Sequence, residues 1–134
     1  MGIFTEYLTA NFVNIAPTHD TPLTLLPADA NNPIIINAII VTNIGVKQPI
    51  RVTVEGWYLN PITNIPVSTG YIAYELLVPS LNSETENHLR TCNILQRIGV
   101  DNLHLAPSYF LTCFVQGPTQ KCDLRMEYTL LKNL

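Results

Sequence analysis

Residues 33–58 read PIIINAIIVTNIGVKQPIRVTVEGWY, and this stretch decides the fold class. After Pro33, the run Ile34 to Asn43 is apolar at nearly every position, with Asn37 as its interruption. A short run that is apolar on both faces is the pattern of a central strand covered on each side. A turn-forming segment, Asn43 to Gln48, follows. Ile50 to Tyr58 then alternates: Ile50, Val52 and Val54 point one way, and Arg51, Thr53 and Glu55 the other. The two runs predict a hairpin.

Working outward, 10 prolines punctuate the chain and β-type segments lie between them. Thr5 to Asn14 reads as a first strand or an arm, Ala16 to Asp20 as loop, and Leu23 to Leu26 as a short strand stopped by Pro27. Asp29 to Pro33 is dense in turn formers. Pro61 and Pro66 make Asn60 to Gly70 a loop, and Tyr71 to Val78 is a strand ending at Pro79. Leu103 to Leu105 is short. Tyr109 to Gln116 and Lys121 to Leu131 are the last strands, with a bend at Gly117 to Gln120. In the final strand Cys122, Leu124, Met126, Tyr128 and Leu130 share one face.

Ser83 to Ile98 breaks this pattern. Ser83-Glu84-Thr85-Glu86 fits a capping box, Leu89, Cys92, Leu95 and Ile98 recur at spacing three, and Glu86 precedes Arg90 by four. Gly99 is a natural stop. The stretch predicts one inserted helix over 83–98, with a long polar loop as the alternative. The fold class is therefore all-β: a single antiparallel β-sandwich or jelly-roll-like domain with that helix. Residues 1–32 are expected as an N-terminal arm with short strands and residues 33–134 as the sandwich domain.

Charge is scarce. Only 13% of the residues are ionic, 7 Lys or Arg and 10 Asp or Glu, where about a quarter is usual. A domain of this size keeps much of its surface in water, so a charge-poor exterior points to burial against other protein. Homo-oligomer formation is expected; a monomer wetted by Asn, Thr, Ser and Gln is the alternative. With a net charge of −3 and no basic cluster, no nucleic-acid partner is expected. The longest apolar run, Pro33 to Val41, is too short to cross a bilayer, so no membrane partner is expected. The start of the chain has no basic region before an apolar stretch, and Glu6 stands where myristoylation after Gly2 needs Ser or Thr. Cytoplasmic synthesis with reduced thiols is expected from 3 cysteines, an odd count.

Signals for chemistry are few. A bend between Gly117 and Pro118 places Cys113 opposite Cys122, making them candidates for a cross-strand disulfide. The competing reading is two reduced core thiols, which Pro118 favours by disfavouring a tight turn. His19, His88 and His104 are scattered, and Cys92 four residues after His88 lacks further ligands, so no metal is expected. There is no nucleophile elbow, phosphate loop or dinucleotide fingerprint, so no catalytic residue, no cofactor and no enzyme activity is expected. Glu84 and Glu86 are explained by capping, and Glu55, Asp123 and Glu127 by polar strand faces. Trp57, Tyr58, Tyr71 and Tyr74 flank the 60–70 loop and are candidate ligand-facing aromatics, able to stack on sugar rings; core and rim packing is the alternative.

The order of Ile39-Ile40-Val41-Thr42-Asn43, a Gly-containing turn, Ile50-Arg51-Val52-Thr53-Val54-Glu55-Gly56-Trp57, an apolar strand, Asn102-Leu103-His104-Leu105-Ala106-Pro107-Ser108-Tyr109 and a closing strand resembles small β-sandwich virion proteins of tailed bacteriophages. The similarity spans about residues 33 to 131 and departs at Ser83 to Ile98, where the usual link is shorter. It implies a structural role without site residues: a capsid decoration or cement protein, with a neck, connector or tail accessory protein as the alternative. It also implies virion localisation and capsid, connector or tail partners. A carbohydrate- or receptor-binding module is the competing class.

Overall fold

The apolar run Ile34–Asn43 is a strand, and it owes its two-sided apolar character to a bulge. In the computed structural model, residues 3–44, 50–71, 76–78, 91–116 and 121–133 are described. In chain order the elements are β1 (Ile3–Ile15), β2 (Leu23–Leu26), β3 (Ile34–Asn43), β4 (Ile50–Leu59), β5 (Pro66–Tyr71), β6 (Leu76–Val78), β7 (Thr91–Asn93), α1 (Ile94–Arg97), β8 (Leu103–Leu105), β9 (Tyr109–Gln116) and β10 (Cys122–Asn133). On β3, Ala38 faces Glu127 of β10 and Ile36 faces Tyr128, so Asn37 is the extra residue. That insertion changes the inward spacing from two to three. Ile34, Ile36, Ile39 and Val41 are all buried, while Ile35 and Ile40 are only partly covered.

Two antiparallel sheets pack together as a β-sandwich. The first runs β1-β10-β3-β7, with β8 also on β3; the second runs β2-β9-β4-β5, with β6 also on β4. The core lies between them. Ile50, Val52 and Val54 from β4 meet Leu111 and Cys113 of β9 on one side; Ile36, Ile39 and Val41 of β3 with Cys122, Leu124 and Met126 of β10 line the other. Each fully buried aliphatic side chain contributes about 1.5–3 kcal/mol. Ile50, Val52 and Val54 of β4 and Cys122, Leu124 and Met126 of β10 line the core as their alternation predicts, while Thr53 on the other face of β4 is buried as well.

Strand partners differ from the expected hairpins. β3 and β4 lie in different sheets, so the chain crosses the sandwich between them. The same is true of β9 and β10. The strands within residues 3–32 join both sheets: β1 pairs with β10 from Ile3 opposite Asn133 to Ile15 opposite Cys122, and β2 pairs with β9.

Of the predicted 83–98 helix only residues 91–98 are described: Ile94–Arg97 is the helical turn α1, and Thr91–Asn93 is a strand on β3. Cys92 sits opposite Val41 and is buried as a strand residue, while Leu95 is buried as a helical one. A spacing of three thus arose from two different backbones. Ser83, Glu84, Glu86, His88 and Arg90 lie outside the described residues. Asn93 is the cap observed here: its Oδ1 accepts from the backbone N–H of Leu95 and also from that of Ile39, each at 3.2 Å. One side chain therefore satisfies both the helix start and an amide beside the β3 bulge.

Asn93→Ala is expected to cost about 1–3 kcal/mol, because two partly buried amides lose their acceptor. Asn93→Asp keeps the acceptor and should recover most of that loss. Urea denaturation of the two variants checks this.

Candidate functional site

The candidate aromatics are distributed by strand alternation. Trp57 and Tyr58 are neighbours on β4, so they point to opposite faces of their sheet. Trp57 stacks on Phe110 of β9 with ring centroids 6.2 Å apart, and its indole N–H donates to Thr112 Oγ1 at 3.0 Å. Tyr58 lies against Tyr109, 5.1 Å between centroids. Tyr71 occupies the end of β5 opposite Glu55. Tyr74 lies outside the described residues. Trp57 and Tyr58 thus do not share a platform, and both rings pack against β9. Beside them the Glu55 carboxylate accepts from Ser68 Oγ at 2.7 Å, which ties β5 to β4.

The cysteines are free, and all three are buried. Cys113 and Cys122, the candidate cross-strand pair, are not opposite one another in a hairpin, because β9 and β10 belong to different sheets. Cys113 instead faces Val54 of β4, and Cys122 faces Asn43 of β3. Burial, aided by the Cys122 thiol, pushes the Cys113 pKa up to about 12. Burial, aided by Asp123, raises Cys122 to about 12 as well. Burial raises Cys92, with Arg97 opposing it. These are protonated hydrophobes rather than activated nucleophiles.

The polar groups are engaged in local structure. His19 and Asp20 approach at 3.6 Å on an exposed loop, and the His19 ring meets Phe114 edge-on. Burial alone would raise the Asp29 carboxyl, but hydrogen bonds from Asn31 and Asn32 outweigh it and hold it below the usual carboxylate value. Among the described residues no three His, Cys, Asp or Glu side chains gather as a metal site, and no helix is long and apolar enough to cross a membrane. One concavity of about 430 Å³ is an open cleft along Ile15–Leu23 with no ionisable lining. A smaller cleft of about 280 Å³ gathers Asn37, Asn93, Gln96 and Asp101. Its Asn37 Nδ2 donates to Thr129 Oγ1 at 2.9 Å, and Asn93 is the cap described above.

What the surface does offer is apolar side chains in water. On the β4–β5 connection and β5, Ile62, Ile65 and Val67 are 92%, 60% and 56% exposed. On β1, Tyr7 and Val13 are 79% and 73% exposed. Single exposed apolar residues are ordinary, but here three lie within six positions of one hairpin. Proline spacing marked this segment as loop in the sequence; it gave no sign that its aliphatics would point outward. No protein-family model matches the chain, and no curated protein matches it.

At pH 8, iodoacetamide should modify Cys113 and Cys122 of the native protein on the order of 10³-fold more slowly than in urea, since their thiolate fractions are that much smaller. The native thiols retain protons that the unfolded chain releases above its ordinary value of 9.0. Their contribution to stability is therefore complete below about pH 9 and lost as pH rises towards about 12. Thermal melts from pH 8 to 11 should show this decline, and the C113A/C122A variant should show a flatter one.

Proposed function

We propose that this chain is a non-enzymatic structural subunit of a bacteriophage virion, a capsid decoration or cement protein that braces neighbouring subunits through homo-oligomeric contacts. The observation that carries the reading is the exposed aliphatic hairpin Ile62, Ile65 and Val67 on a surface where only 13% of the chain's residues are charged. A rigid two-sheet core with apolar side chains projecting from it suits a role in which surfaces are buried on neighbours. The described thiols add to this, being buried and held protonated rather than poised for attack. The resemblance of residues 33–131 to phage β-sandwich proteins supplies the virion setting. Trp57 supports the alternative of sugar binding poorly, because its ring and its N–H are both used against β9.

In this role, lateral contacts would bury apolar and amide-bearing surface and resist outward pressure from packaged genome. A stable contact needs about 1,000 Å² or more of buried area.

Light scattering over a range of concentrations should give a mass above the 15.0 kDa of one chain. Purified particles of the encoding phage should contain the chain as a stoichiometric component. A monodisperse monomer at high concentration, or a chain absent from the particles, overturns the reading. The I62D/V67D variant should weaken assembly at least about tenfold, the cost of burying charge in an apolar contact.

A further inference from the structure

β1 is a sheet edge without the protection given to the others. It runs for 13 residues with no proline, from Ile3 to Ile15. On one side it pairs with β10; among the described residues no strand pairs its other side. Edge strands expose a row of backbone donors and acceptors, and proteins commonly blunt them by shortness, proline, bulges or charge. Among the described residues the remaining edges follow that rule. β2 has 4 residues between Pro22 and Pro27, β5 has 6 and begins at Pro66, and β6, β7 and β8 have 3 each. On β1 the bulge comes late, between Phe12 and Ile15, leaving Ile3–Phe12 regular. Its one ionic residue, Glu6, is bridged to Lys132 of the adjoining strand at 3.0 Å. Thr5, Tyr7, Thr9 and Asn11 stand exposed along its outer face.

We propose that the free edge of β1 pairs antiparallel with β1 of a second copy, joining two five-stranded sheets into one continuous sheet across a two-fold axis. This names the partner within the assembly reading above and rests on it. The edge is complementary to itself. A two-fold perpendicular to the sheet keeps exposed residues opposite exposed residues, so the paired residue numbers sum to an even value. Axes at Tyr7 or Leu8 use nearly the whole regular stretch. They set Tyr7 against Tyr7 or Thr9 of the partner subunit, a favourable cross-strand pair in either case. Glu6 then opposes Leu8 or Ala10 of the partner subunit, so no like charges meet. Alternate N–H groups along the stretch point away from β10, and the absence of proline leaves each of these able to donate. A second copy fits better than an unrelated peptide, because the uncharged, β-propensive sequence TEYLTANF supplies both sides of the ladder.

The test is the Y7K/T9K variant, which places lysines at the seam, with N102K, at an exposed position outside both β1 and the 62–67 hairpin, as the control. Sedimentation of the wild type should show a concentration-dependent dimer or a multiple of it, and Y7K/T9K should raise the dimer dissociation constant at least about 100-fold while N102K leaves it unchanged. A Y7K/T9K protein of unchanged mass overturns the edge pairing while leaving the assembly reading standing; a wild type that is monomeric throughout overturns both. Amide hydrogen exchange of the wild type decides the matter even if the variant misfolds. Protection in residues 3–12 should rise with protein concentration, and protection independent of concentration overturns the proposal.

Discussion

The bulge at Asn37 is the constraint on which this sandwich depends. Without it, a strict two-residue alternation along β3 would send either Ile36 or Ile39 outward. With it, Ile34, Ile36, Ile39 and Val41 all reach the core, and the central strand of its sheet can meet the inner residues of β10 along its length. Beside the irregularity the Ile39 backbone N–H finds its partner in the Asn93 side chain, which also starts the following helical turn, and the Asn37 side chain donates to Thr129 Oγ1. The helical turn, the short β7 beside it and the bulge form one mutually dependent unit.

Much of this was legible in the residues, but only along each strand. Alternation in Ile50–Val54 and in Cys122–Leu130 identified their inward faces, because a pleated strand imposes period two whatever its neighbours are. Pairing is a different kind of information. Residues 33–58 look like a hairpin, and residues 109–131 look like another, yet each crosses between sheets. Both faces of a sandwich are built from the same residue types, so composition does not say which sheet a strand joins. The expected opposition of Cys113 and Cys122 failed for that reason, though their burial as core thiols did not. Over residues 91–98 the helical spacing of Cys92, Leu95 and Ile98 is shared between a strand and a helical turn, with Asn93 as the extended cap at which the turn starts.

The candidate site was legible in its chemistry rather than its location. A shortage of ionic residues is a property of the whole chain; it gives no map of where apolar groups emerge. The exposed Ile62, Ile65 and Val67 lie in a segment whose prolines signalled loop, and β1 lies in one that read equally as strand or arm. Conversely Trp57, the residue most suggestive of ligand binding, is occupied by Phe110 and Thr112. Its neighbours, not its identity, set its role.

The pairing of β1 with β10 places Ile3 directly beside Asn133. Cargo attached at Ile3 and cargo attached at Asn133 would therefore leave the molecule at one and the same spot. A brief linker could also splice Ile3 to Asn133, and the exposed 61–65 bend then offers a place to open the chain. Such a permuted chain would hold β1 by covalent joints on both sides, turning a marginal strand into an interior stretch of the polypeptide.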